Sequence, residues 1–394
     1  MDNKYIENGY IICKTIGDVI NQKINIPVKC KTKADAEDRV NFLKFHNLIT
    51  LFDFCVDADD FISFFGADNY QKICKIVNKS AFKQLKCDLM SDNISQSFSK
   101  AGIKHIVLKG TEYKKFYPDN IVRISNDIDI YIQMNYLETA EKVLNEKGFV
   151  FDISYDNKEF QYKKEPRYSV ELHTAMDGFN VNQESILLSL ANNAEKVSGN
   201  RYSLNNNDFY IFSLFHLYKH FVQSGAGVRM FLDVFLIKKN GNLDFEYINN
   251  KLKALNIDGF ESVVTKINLC LFEAMTAADD IKDVIEFIFE STTFGKASTN
   301  LYLSKINNKI FYSSNFEQLK LDTGLSFTAM KNRYPLLNKL PVLYPFSLVY
   351  RFIYGLTHKR KLITNAQKFK KSIPSHKLNK YKKIFKTVKI DISK

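Results

Sequence analysis

The sequence predicts an α+β fold, a mixed sheet with helices, flanked by helical regions on both sides. Three observations lead there. Apolar residues recur at helical spacing across residues 34–99 and again beyond Asn180. Two strand-like runs lie between them, separated by the turn signal Tyr117-Pro118-Asp119-Asn120. An amphipathic helix and three short alternating stretches then complete a unit of strand, helix, strand, helix and antiparallel strands, an order unlike a doubly wound sheet. The expected divisions are residues 1–100 (helical), 101–180 (sheet and helices), 181–333 (helical) and 334–394 (an apolar, Pro-containing segment and a basic tail).

The first thirty residues show no strong period and are predicted to be loose or partly ordered. From Ala34 to Ser99 the spacing predicts about four helices, with Phe42, Phe45, Leu48, Leu51 and Phe52 as their core. Ile103 to Gly110 reads as a buried strand, Thr111 to Phe116 as a short helix, and Ile124 to Gln133 as a second strand. Asn135 to Lys147 is an amphipathic helix with Leu137, Ala140 and Leu144 inward and Gly148 as its stop. Strand-like pieces follow at Phe149–Ser154, Glu159–Lys163 and Tyr168–Thr174. Beyond Asn180 the chain is expected to be helical, broken at Ser224–Gly227.

Side chains two apart on a strand share a face, so Asp127 and Asp129 point one way while Ile128, Ile130 and Ile132 bury the other. Carboxylates held that close repel unless a cation lies between them, and a hard divalent ion is the simplest remedy. The later run Tyr168-Ser169-Val170-Glu171-Leu172-His173 alternates equally cleanly and puts Glu171 and His173 on one face. An acidic edge strand that discourages pairing would explain the two aspartates, but not Lys109, Gly110 and Arg123 at fixed offsets before them.

Leu108-Lys109-Gly110, Arg123 and Asp127-Ile128-Asp129 together resemble the uncharacterised bacterial nucleotidyltransferase family, a branch of the polymerase β-like nucleotidyltransferase superfamily. The resemblance implies a polymerase β-type palm over residues 101–180 and transfer of a nucleoside monophosphate from an NTP, ATP among them. It makes Asp127, Asp129 and Glu171 the catalytic carboxylates and holders of one or two Mg²⁺ ions, with Lys109, Gly110, Thr111, Arg123 and Ser125 around the nucleotide. The superfamily's Gly-Ser or Gly-Gly step is Gly110-Thr111 here. Each residue has a plainer role as well. Gly110 can be a turn glycine, Lys109 and Arg123 can pair with Asp119 or Asp127, and Ser125 fits best as the turn before the strand. His173 either orients Glu171 or touches substrate. His216 and His220 have metal-like spacing, but on so apolar a helix they fit packing against the palm, with hydrogen bonds to Asp233. Arg229 and Asp233 form a structural pair in this reading, with contact to nucleotide or acceptor as the alternative. The Phe294-Gly295 step and the Tyr334–Arg351 segment also resemble the family.

Six scattered cysteines without metal spacing indicate a reducing compartment, and the first ten residues lack a secretion pattern. No apolar run approaches the ~20 residues that span a bilayer. The expected location is cytoplasmic, with peripheral contact to the inner membrane face as an option. Of the 56 Lys and Arg behind the net charge of +13, thirteen lie from Thr357 onward against one acid, Asp391. That tail, residues 357–394 with its interleaved Phe369, Ile373, Tyr381, Ile384 and Phe385, suits anionic lipid, RNA, or simple solvation. The acceptor stays open: a sugar phosphate or polysaccharide precursor, a protein or an RNA. A different class, a non-catalytic nucleotide-binding or scaffold protein attached through its tail, accounts for the same composition.

Overall fold

The structure, a computed structural model, describes residues 3–23, 30–125, 127–155, 158–165, 168–176, 178–293, 340–350 and 374–390, with positions 295, 299, 303, 330 and 337. It is a mixed α/β protein built on one seven-stranded sheet. The strands are β1 (His105–Val107), β2 (Asp127–Ile132), β3 (Val150–Tyr155), β4 (Glu159–Lys164), β5 (Tyr168–His173), β6 (Glu195–Ser198) and β7 (Arg201–Ser203). Their spatial order is β3-β4-β5-β2-β1-β7-β6. β2 runs parallel to β5 and antiparallel to β1, and β1 runs parallel to β7. Two apolar layers sandwich the sheet. Ile128, Ile130, Ile132, Val170 and Leu172 face α5 (Ala67–Lys100) and α7 (Leu137–Glu146), while Ile106, Leu108 and Tyr131 join the larger core on the opposite side. A strand with both neighbours paired and both faces covered holds its side chains rigidly.

Four helices fall between residues 33 and 100, as the spacing predicts: α2 (Lys33–Phe45), α3 (Ile49–Cys55), α4 (Ala58–Phe65) and α5. Phe42, Leu48, Leu51 and Phe52 are buried in their core, whereas Phe45, expected among them, is 50% exposed. The start of the chain differs from expectation, because Asn3–Ile20 is an α-helix, α1. Its Ile12, Cys13 and Ile16 are fully buried, and it packs against α12 (Asp258–Phe272), far away in sequence. A side chain at Gly17 would stand 2.2 Å from the Phe272 carbonyl oxygen, so glycine permits this contact. Local periodicity could not report this contact, since α12 lies some way along the chain and α2 and α3 cover the rest of the helix.

Two further differences concern the sheet. The second strand starts at Asp127 rather than Ile124, because the loop before it bonds elsewhere: Ser125 N–H donates to the Gln84 side chain, and the Val122 carbonyl accepts from Thr50 Oγ1. Residues 195–203, expected to belong to a helical stretch, form the β6–β7 hairpin that extends the sheet beyond β1.

Further helices are α6 (Thr111–Lys114), α8 (Val181–Asn192), α9 (Asn206–Gln223), α10 (Val228–Asn240), α11 (Phe245–Leu255), α13 (Asp279–Glu290) and, near the C-terminus, α14 (Ser375–Thr387). α14 gives three of the tail's apolar residues a packing role instead of a lipid-facing one. Tyr381, Ile384 and Phe385 are buried against α9 and α13, with Phe385 beside Phe221 and Tyr381 beside Phe287. Lys383 pairs with Asp283 at 2.6 Å, and Lys380 lies 3.6 Å from Glu290, so part of the basic charge complements the acidic face of α13. Phe369, Ile373, Phe294 and the first part of the Tyr334–Arg351 segment lie outside the described residues. Among the described residues no helix is long and apolar enough to cross a membrane.

Candidate functional site

The parallel register of β2 and β5 sets Asp127 opposite Ser169, Asp129 opposite Glu171 and Tyr131 opposite His173. On the face away from the Ile128 layer, Asp129, Glu171 and His173 converge. Their ligand atoms all lie within 4.8 Å of one another, and they form the one such group of three His, Cys, Asp or Glu among the described residues. They open into a pocket of about 390 Å³, within the range of small-molecule sites.

Asp129 is 2% exposed, and its Oδ1 accepts from two sides: Lys109 Nζ at 2.8 Å and His173 Nε2 at 3.0 Å. Burial alone would raise its pKa, but Lys109 and His173 outweigh burial and hold it well below the usual carboxylate range. Glu171 behaves oppositely. Burial, then the negative charge of Asp129, push its pKa up to about 8, although Lys109 opposes the shift. Gln161 Nε2 on β4 donates to Glu171 Oε1 at 3.0 Å and fixes the carboxyl plane. His173 does not bond to Glu171, the orienting role considered for it. Its Nε2 faces Asp129, and its Nδ1 lies 3.8 Å from Glu159 Oε2 on β4.

Asp127 stands at the pocket wall but outside the three-residue group. Its Oδ1 and its carbonyl oxygen accept from the Ser125 hydroxyl at 3.0 and 3.1 Å, which makes Ser125 the turn residue that the sequence favoured. Gly110 has φ +49°, outside the range of ordinary L-residues, and an added Cβ would sit 3.0 Å from Ser125 Oγ. A small residue thus lets the end of β1 and the start of β2 close on each other, beside Lys109. Thr111 begins the single turn of α6 and does not line the pocket.

Arg123 pairs with neither Asp119 nor Asp127. Its Nε and Nη2 donate to the two oxygens of Asp233 at 3.0 and 2.9 Å, and Nη1 donates to the Ile124 carbonyl. Tyr117 Oη donates to Asp233 as well, at 2.7 Å. Asp233 thus takes these hydrogen bonds from Arg123 and Tyr117, with the charge of Arg229 close by. Arg229 Nη1 donates to the Ile124 carbonyl at 2.7 Å. The two arginines and Asp233 clamp the 117–125 loop onto α10, and that loop delivers Asp127 to the sheet.

The far wall comes from α9: Phe212, His216, Lys219 and His220. Burial, with Lys109 next, pulls His220 down to about 4 and holds His216 well below its ordinary value, so both imidazoles are neutral at pH 7. Reasoning from sequence placed His220 near the site, but missed Phe212 and Lys219 as pocket residues and Glu159 and Gln161 as partners of His173 and Glu171. The alternation Glu159-Phe160-Gln161 held that last signal, since it sends both polar side chains to one face.

Among curated proteins and among solved structures, none matches this chain. Residues 32–272, which span α2 to the end of α12 and every strand of the sheet, match a family described as an uncharacterised nucleotidyltransferase. The chain belongs to that nucleotidyltransferase family.

Proposed function

We propose that the protein is a divalent-metal-dependent enzyme that moves an NMP from an NTP to an acceptor hydroxyl, on a sheet equivalent to a polymerase β-type palm. The observation that carries this is the convergence of Asp129, Glu171 and His173 on adjacent parallel strands, beside Lys109 and inside a pocket. The donor set fits a divalent cation: two carboxylates and an imidazole meet in one pocket, where the cation would displace the Lys109 ammonium that now neutralises Asp129. Asp129 and Glu171 would hold the ion, joined by Asp127 once its carboxylate turns from Ser125; Mg²⁺ is the ion that the resemblance implies. When bound, such an ion neutralises phosphate charge and lowers the pKa of a bound hydroxyl.

The acceptor oxygen attacks the α-phosphorus, the bond to the β-phosphate oxygen breaks, and pyrophosphate leaves. Lys109 is positioned to move from Asp129 to a phosphate oxygen as charge develops. Glu171, ionised when a cation offsets Asp129, takes the acceptor's proton through its second oxygen. The neutral imidazoles of His216 and His220 and the ring of Phe212 form a wall suited to a planar base or to the acceptor.

The test is pyrophosphate release from each NTP with Mg²⁺ or Mn²⁺, with α-labelled nucleotide and cell lysate as acceptor source. Label entering a lipid, sugar, protein or RNA fraction, reduced at least ~10²-fold in both Asp129→Ala and Asp127→Ala, is the expected result. Metal-dependent NTP binding without release from any NTP would replace the enzyme with a nucleotide-binding protein.

A further inference from the structure

We infer that His173 Nε2 is a direct ligand of the site's cation, and that the site consequently prefers Mn²⁺ to Mg²⁺. This rests on the proposed metal dependence and asks which ion the residues select. Ligands across an ion bound at ~2.0–2.3 Å stand roughly 3–4.5 Å apart. His173 Nε2 and Asp129 Oδ1, 3.0 Å apart, meet that spacing, and one ligand atom from each of Asp129, Glu171 and His173 lies within 4.8 Å of the others, close enough for a small side-chain adjustment to complete it. The imidazole is already aimed: it binds the cation in the tautomer with its ring proton on Nδ1, exchanging the Nε2 hydrogen bond to Asp129 for the metal. Its side chain is 12% exposed, and β5, which carries it, is held between β2 and β4. Behind the ring, Glu159 Oε2 faces Nδ1 at 3.8 Å. A carboxylate behind an imidazole whose other nitrogen points at the site is the usual support of a metal-bound histidine.

Asp127 supplies the contrast. It joins as an oxygen donor only after its Oδ1 leaves Ser125, and it stands outside the group of three, so in the arrangement shown the imidazole completes the donor set first. Mg²⁺ favours oxygen ligands and retains its waters, whereas imidazole suits later first-row ions, and Mn²⁺ accepts both donor types. A mixed donor set therefore shifts the preference toward Mn²⁺.

The experiment adds Mn²⁺ alone to the full-length, metal-free protein and reads the ¹⁴N coupling of the bound ion by pulsed EPR, with affinities for Mn²⁺ and Mg²⁺ from titration. The wild type should show coupling to a directly bound imidazole nitrogen. His173→Gln should abolish it and weaken Mn²⁺ by at least ~10-fold while changing Mg²⁺ by less than ~3-fold. Glu159→Gln, which leaves the ligands in place, should weaken Mn²⁺ about 10-fold with the coupling retained. Bound Mn²⁺ without ¹⁴N coupling, equal losses for both ions in His173→Gln, or no Mn²⁺ binding would overturn the inference. NMP transfer that proceeds without the nitrogen signal would refute this assignment alone. The nitrogen signal without transfer from any NTP would refute the proposed reaction and leave His173 as ligand.

Discussion

Replacing Glu171 by Gln should stabilise the metal-free protein, and do so only at neutral to alkaline pH. In the folded protein the Glu171 carboxyl keeps its proton up to about pH 8, whereas its ordinary value is 4.5. Between those values the folded state binds more protons than the unfolded chain, so this group makes stability fall as pH rises. The slope is at most about 1.4 kcal/mol per pH unit, which sets a ceiling of roughly 5 kcal/mol across the window. Relaxation and solvent access reduce that, and the expected gain of Glu171→Gln at pH 8 is about 1–3 kcal/mol. Glutamine keeps an oxygen for Gln161 Nε2, so the local hydrogen bond survives.

The assay is urea unfolding of both proteins with chelator at pH 5 and pH 8. Other titrating groups cancel in the difference between them. The midpoints should nearly coincide at pH 5 and separate at pH 8, with the variant more stable. A saturating divalent ion should close the gap by stabilising the wild type alone. A variant equally displaced at both pH values, or less stable at pH 8, would refute the claim that Glu171 is buried against Asp129 at an electrostatic cost.

Three other outcomes follow from the same geometry. Asp233→Ala leaves the Arg123 guanidinium buried without its carboxylate, and should cost about 3–5 kcal/mol in urea unfolding, with Asp233→Asn closer to wild type. Gly110→Ala must hold alanine at φ +49° against Ser125 Oγ and should cost about 1–3 kcal/mol, while NMP transfer falls because Lys109 and Asp127 shift together. Phe385→Ala empties a fully buried position between α14 and Phe221 and should cost about 3–5 kcal/mol; a surface-lying tail helix would lose almost nothing.

Much of the site was written locally. Alternation alone put Asp127 with Asp129 and Glu171 with His173, because strand geometry assigns faces without reference to the rest of the chain. The four helices between residues 33 and 100 and the helix after Gln133 were equally legible, since each carries its own apolar period. The β6–β7 hairpin was readable too: Gly199-Asn200 between Glu195–Ser198 and Arg201–Ser203 is a two-residue turn signal that its short, polar strands obscured.

Other features needed the assembled fold. Parallel pairing of β2 with β5 decides that Glu171 meets Asp129 rather than Asp127, and a shift of one residue would send every side chain to the wrong face. Arg123 found Asp233, 110 positions away, because a guanidinium buried there without a carboxylate would be strongly unfavourable, whatever the separation in sequence. Helices α1 and α14 were obscure for the same reason. The apolar residues of α1 are covered by α2, α3 and α12 together, and those of α14 by α13 and α9, so their order is a property of tertiary contact rather than of local pattern. The sequence by itself thus determined which side chains share a strand face. Only the tertiary structure decided which of them meet across strands, since register and long-range burial depend on surfaces that no local stretch contains.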